Sequence, residues 1–159
     1  MDMAEDASNP LPPEVIGFAT RMFDAARRGD TAVFAQALPA GLSPGLTNDK
    51  GDSLIMLAAY HGHAPLVSLL LSHGANPNSL NDRGQSPLAG AVFKAEAEVI
   101  EALLAGGADP EMGEPSAMEA LVLFKQEDVW GQKFQDAPGR GKGGVVVNGG
   151  GATPSNGQS

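Results

Sequence analysis

The feature that most constrains this chain is an internal repeat. Thirty-three residues separate Gly51 from Gly84, and Gly74 from Gly107. The same step taken backward reaches Gly41 from Gly74 and Gly29 from Gly62. It also links Leu38, Leu71 and Leu104; Pro44, Pro77 and Pro110; Val33, Leu66 and Val99; and Phe34, Val67 and Ile100. Many independent positions share one period, which leaves chance a poor explanation. Periods in the range of about 20–50 residues mark stacked repeat architectures. Such units have apolar faces that none can bury alone, so neighbours must stack.

Local chemistry within one period predicts the unit. Ser53 precedes LIMLAAYH, where its hydroxyl can cap a helix N-terminus for about 1 kcal/mol. Gly62 lets that helix stop, because glycine adopts positive φ without penalty. Ala64-Pro65 opens a second helix, with Pro65 in the first turn where its missing N–H costs little. That helix continues through LVSLLLSH and stops at Gly74. Asn76-Pro77-Asn78 and Asn81-Asp82-Arg83-Gly84 are turn sequences that shape a projecting loop. The unit is helix, tight turn, helix, loop.

Composition narrows the function classes. Of the 159 residues, 42% are hydrophobic but only 5% aromatic, so the core is mainly aliphatic. The formal net charge of −9 argues against a nucleic-acid backbone or an anionic membrane as principal partner. The chain has no cysteine, which excludes a disulfide framework, a thiolate zinc site and a cysteine nucleophile. The opening Met1-Asp2-Met3-Ala4-Glu5-Asp6 lacks the basic and apolar regions of a secretory signal. No apolar run approaches the roughly 20 residues of a membrane span. The expected location is the cytoplasm, with the nucleus open to so small a chain by diffusion.

These residues resemble the ankyrin repeat, whose pattern runs through Gly, Thr-Pro-Leu-His, Ala-Ala, Gly-His, a Leu-rich second helix and Gly-Ala-Asp. One unit offers Gly51, Ser53-Leu54-Ile55-Met56, Ala58-Ala59, Gly62-His63, Leu69-Leu70-Leu71 and Gly74-Ala75-Asn76. The next offers Gly84, Ser86-Pro87-Leu88-Ala89, Ala91-Val92, Leu103-Leu104 and Gly107-Ala108-Asp109. The motif Thr becomes Ser53 and Ser86, and the motif His becomes Met56 and Ala89. Gly62-His63 becomes Ala95-Glu96, which predicts irregularity around residues 93–97. The resemblance implies an all-α solenoid of stacked helix-turn-helix units with projecting loops. It extends to stand-alone ankyrin proteins of bacteria and fungi. Some of the bacterial ones are associated with oxidative-stress defence, a role for which these residues offer no argument.

The expected organisation is a disordered acidic segment over 1–13, a repeat domain over 14–134 and a disordered Gly-rich tail over 135–159. The domain comprises full repeats at about 48–80 and 81–113 between two capping units. A long first helix is expected over 14–28. The C-terminal cap reads as a half-repeat, with Leu121 one period after Leu88. Trp130 and Phe134 are expected to fold back over the last helix.

Candidate chemistry is sparse. His61-x-His63 invites a metal reading, but neither Cys nor a third ligand accompanies the pair, and His73 falls at a variable repeat position. Gly139-x-Gly141-x-x-Gly144 matches a dinucleotide-binding pattern literally, without the strand and helix that such a loop joins. Glu96, Glu98, Glu101, Asp109 and Glu111 read as a solvated acidic face, with docking of a basic partner as the alternative. No catalytic, cofactor-binding or metal-ligating residue is assigned, and no cofactor is expected.

The resemblance places partner contacts on a concave surface made by loop tips and the exposed side of the first helices. Carried over position by position, these are Asp49, Lys50 and Asp52 on one loop with Tyr60 and His61 behind it. One period later come Asp82, Arg83 and Gln85, then Phe93 and Lys94; one period earlier come Arg27 and Arg28. Aromatic and Arg side chains bury much area while keeping a polar handle, and they dominate interface energetics. The expected function is protein–protein interaction by a non-enzymatic, monomeric module that binds neither nucleic acid nor membrane. The alternatives are a stress-associated accessory or assembly role through the repeat ends, and a metal- or nucleotide-dependent enzyme.

Overall fold

The computed structural model describes residues 11–143. The segments 1–10 and 144–159, with the expectations made for them, lie outside the described residues. Eight α-helices follow one another there as four antiparallel pairs. They are α1 Pro13–Arg28 with α2 Thr31–Ala37, α3 Leu54–Tyr60 with α4 Ala64–Ser72, α5 Pro87–Lys94 with α6 Ala97–Ala105, and α7 Ala117–Leu123 with α8 Glu127–Gln135. The first helices stack in the order α1, α3, α5, α7, and the second helices α2, α4, α6 stack behind them. No helix among the described residues is long and apolar enough to cross a membrane.

Capping hydroxyls start α3 and α5, whereas α1 begins behind Pro12 without a side-chain cap. Ser53 Oγ accepts from the Met56 N–H at 3.1 Å and Ser86 Oγ from the Ala89 N–H at 3.1 Å. At α7, Ser116 and Glu119 form a reciprocal capping box, at 3.1 and 2.8 Å, that satisfies two otherwise orphan N–H groups. The turn between paired helices is the same in all four units. Asp30, His63, Glu96 and Gln126 each donate a backbone N–H to Ala25, Ala58, Ala91 and Leu121, at 2.8–3.0 Å. This closure requires a left-handed residue just before, found at Gly29 (φ 74°), Gly62 (φ 82°), Ala95 (φ 58°) and Lys125 (φ 58°). The irregularity expected around 93–97 is therefore absent. Ala95 accepts the strained conformation one period after Gly62, although α5 runs one residue further than α3.

Leu54, Ile55, Leu66, Val67, Leu70, Leu88, Ile100 and Leu103 are fully buried between the layers, with Phe34 at one end of the core and Phe134 at the other. Trp130 is also buried. Both α8 rings thus pack inward as a cap, which removes them as a surface for assembly.

Two expectations about the C-terminal end need correction. The closing unit is a full helix pair, not a half-repeat. Its cap Ser116 follows Ser86 by 30 residues, and Lys125 follows Ala95 by 30. The loop into it is three residues shorter than the others, so Leu121 is the counterpart of Ala91 and not of Leu88. The tail expected to be disordered from 135 also continues as structure through Gly143. The Asp109 carboxylate, only 3% exposed, accepts N–H bonds from Glu111 (2.9 Å), Gly141 (2.8 Å) and Gly143 (2.7 Å). Arg140 adds an ion pair to Glu111 at 2.7 Å. Gly139 has to be glycine for this docking, since a Cβ there would collide with the Gly107 and Ala108 carbonyls.

Candidate functional site

The concave face begins with two loops that fold alike. Asn48 Oδ1 accepts from the Lys50 and Asp52 N–H groups, each at 2.9 Å. One period later Asn81 Oδ1 accepts from Arg83 and Gln85, each at 3.0 Å. An Asn side chain that imitates a backbone turn in this way fixes the loop without regular structure. The loops are then tied together. Asp82 N–H donates to the Lys50 carbonyl at 3.0 Å, and Asn81 Nδ2 donates to Asp52 Oδ1 at 2.8 Å. A Cβ on Gly51 would run into Asp82, so this close approach requires glycine.

Behind the loops, the ends of α3, α5 and α7 present a ladder of rings. Tyr60 and Phe93 stack at 6.4 Å with planes 13° apart, and Phe93 meets Phe124 edge-on at 5.1 Å. All three stay open to solvent, at 38%, 52% and 41% exposure. Lys94 Nζ lies 4.8 Å above the Tyr60 ring, within cation–π range.

Two hollows share the wall formed by Met56, Tyr60, Arg83 and Gln85. The first, a cleft of about 360 Å³, is floored by Ala89 and Gly90 and walled by Phe93 and Phe124. The second, about 560 Å³, is polar and runs between Arg27, Lys50, Asp49 and His61. Burial depresses the His61 pKa below its ordinary 6.5, and the neighbouring His63, Lys94 and Arg27 depress it further. Arg27, Lys50 and Arg83 share this hollow with Asp49 and Asp52, whereas Arg83 is the one charged side chain that lines the apolar cleft.

Of the twelve residues expected on this face, Arg27, Asp49, Lys50, Asp52, Tyr60, His61, Arg83, Gln85 and Phe93 line one hollow or the other. Lys94 joins them through the Tyr60 ring. Arg28 lines neither hollow; its guanidinium lies 3.8 Å from the Asp30 carboxylate. Asp82 lines neither and packs over Gly51. Phe124, Met56 and Pro115 line the apolar cleft without having been expected there. Phe124 would have emerged had the 30-residue spacing of the last unit been recognised, since it follows Lys94 by that step.

The other sequence candidates take structural places. His63 Nε2–H donates to the Arg27 carbonyl at 2.7 Å, with the ring packed over Gly29, so it bonds two units together. Glu96 occupies the equivalent place over Gly62. His73 lies at the far end of α4 from His61. Glu101 pairs with Lys133 at 2.7 Å and Glu111 with Arg140. Asp109 is buried, and Glu96 and Glu98 make no ion pair among the described residues, so the five acids do not act as one patch. The segment from Gly139 to Gly143 follows α8 and docks on Asp109; Gly144 lies outside the described residues.

Stacked helix pairs with tied loops and a recessed face define a helical-repeat binding scaffold. The model of the family described as ankyrin repeats, in three copies, matches residues 22–113, and the chain belongs to that family. It is also similar to an ankyrin repeat protein of Pseudomonas aeruginosa, with 46% identity over 67 residues. That stretch is 42% of this chain and 39% of the relative, so the chain spans about two fifths of the relative's length. Ankyrin repeats are in general protein–protein interaction modules and are typically not catalytic.

Proposed function

We propose that this protein works by holding a segment of a partner protein on its concave face, across the rings of Tyr60, Phe93 and Phe124 and against Arg83. The observation that carries this reading is the ladder of three rings left half-open beside a shaped cleft. Large apolar groups that stack on one another yet remain exposed lose less conformational freedom on binding and bury much area. On this reading the helical-repeat domain acts as a monomer without a cofactor.

The test is a double variant, Tyr60→Ala with Arg83→Ala. Both side chains are exposed and outside the core, so the melting temperature should barely move. Capture of the partner by the full chain should weaken by at least ~2 kcal/mol, the scale of interface hot spots. Unaltered capture by the folded double variant removes the reading.

A further inference from the structure

We propose that the segment held on the concave face is an acidic one, with an apolar side chain in the cleft and carboxylates beside it, and this rests on the concave-face reading above. A net charge of −9 alone would suggest a basic partner. The distribution of charge says otherwise. No carboxylate lines the apolar cleft, whose one charged wall is Arg83. Lys50, Arg83 and Lys94 make no ion pair among the described residues, whereas Arg27, Arg28, Lys133 and Arg140 each have a carboxylate partner. The adjoining hollow has two acids, Asp49 on the loop and Asp52, the latter bound by Asn81. The apolar cleft thus has Arg83 in its wall, Lys94 over the ring of Tyr60 beside it and Lys50 in the adjoining hollow, three cations without an ion pair among the described residues.

The floor supports an apolar anchor. Ala89 and Gly90 leave the space open, and a Cβ on Gly90 would sit in ordinary contact, 3.6 Å from the Tyr60 ring. An apolar side chain entering there displaces water from Met56, Phe93 and Phe124. Carboxylates flanking it along an extended or helical segment reach Arg83 in the cleft wall and Lys94 above the Tyr60 ring. Arg83 can grip a carboxylate with two parallel N–H donors. In the adjoining hollow burial depresses the His61 pKa first, and His63, Lys94 and Arg27 then add to that depression, a contribution that an acidic ligand would offset.

The experiment uses the full chain and short fluorescein-labelled peptides, read by anisotropy at low salt. One peptide alternates Asp and Glu with Leu and Phe; a second has Lys at the acidic positions; a third keeps the acids but has Ser at the apolar positions. The acidic–apolar peptide should bind at least about tenfold more tightly than either control. Arg83→Glu and Gly90→Leu should each weaken it by about tenfold, the first through charge and the second by filling the cleft. On binding, the His61 imidazole pKa should rise.

Equal or tighter binding of the Lys peptide overturns the proposal, as does an acidic peptide insensitive to both variants. A gain of about tenfold on deleting residues 1–10 would assign the face to the chain's own acidic segment, and would also overturn it. So would a doubled mass in sedimentation that Phe93→Ala restores to monomer, which would make a second copy the occupant. If the acidic preference fails while Tyr60 and Arg83 still govern partner capture, only the ligand chemistry falls. If that dependence fails too, the concave-face reading falls with it.

Discussion

The back layer and the concave rim of this solenoid use similar side chains to opposite ends. In the back layer Leu66, Val67 and Leu70 of α4 face Val99, Ile100 and Leu103 of α6, and none of them retains contact with water. On the rim Tyr60, Phe93 and Phe124 recur at comparable spacing and keep roughly half their surface open. The back layer gives the units a reason to stack. The rim rings touch one another across the units yet keep much of their surface free for recognition. Substitutions in the two rows should therefore separate cleanly, one changing stability and the other changing binding.

The largest effect is expected in the back layer. Leu70→Ala should cost about 2–5 kcal/mol, because it empties volume at the α4 interface with both neighbours. Chemical denaturation checks this, and partner affinity per folded molecule should not change. A near-neutral result would mean that the layers are not packed as described. The Tyr60/Arg83 double variant is the converse, with at least ~2 kcal/mol lost from binding and little from folding.

Between these lies the closing end, where packing depends on one carboxylate. Asp109→Ala removes the acceptor for the Glu111, Gly141 and Gly143 N–H groups and should cost about 1–3 kcal/mol. Amide exchange at Gly141 and Gly143 should accelerate sharply, with little change in α3. Unaltered exchange there would show that the tail is held by other means. A smaller and opposite effect is expected at Ala95. Its φ of 58° is costly for a residue with a Cβ, and Ala95→Gly should stabilise by about 0.5–1 kcal/mol. Destabilisation would mean that the left-handed turn after α5 is wrongly placed.

Most of the fold was legible because the 33-residue period is written in caps and stops that act locally. Ser53, Ser86, Gly62 and Gly74 do in the structure what their chemistry predicts. Ala95 was misleading for the opposite reason. The hydrogen bond from Glu96 to Ala91 and the stacking on α3 hold a turn that its own residue disfavours. The last unit was half-read because a loop three residues shorter breaks the register, and because Trp130 and Phe134 replace the usual aliphatic side chains. The segment over 137–143 was missed because glycine reads as disorder, while here it permits close backbone approach to Gly107 under a carboxylate distant in sequence. On the concave face, the period placed Tyr60, Phe93 and Arg83 together. It could not show that Arg28 and Asp82 leave the hollows, because that depends on side-chain directions set by Asp30 and Gly51.

The smallest effect is expected at His61, and it tests whether the cations of the rim act on it as their positions imply. Partial burial lowers its pKa first, then the charges of His63, Lys94 and Arg27 lower it further, while the Tyr60 ring meets it edge-on at 5.5 Å. By NMR titration His61 should lose its proton at lower pH than a free imidazole, whose value is 6.5. Lys94→Ala should move it upward. The linkage has a definite sign. Because the unfolded chain binds this proton more readily than the folded one, stability attributable to His61 is intact above 6.5 and declines as pH falls through that value toward the folded pKa. The buried back layer has no such group, so Leu70→Ala should lower the stability curve without changing its slope in this window. A His61 pKa at or above the free value would mean that neither burial nor these charges govern it, and would remove the contrast between the two rows.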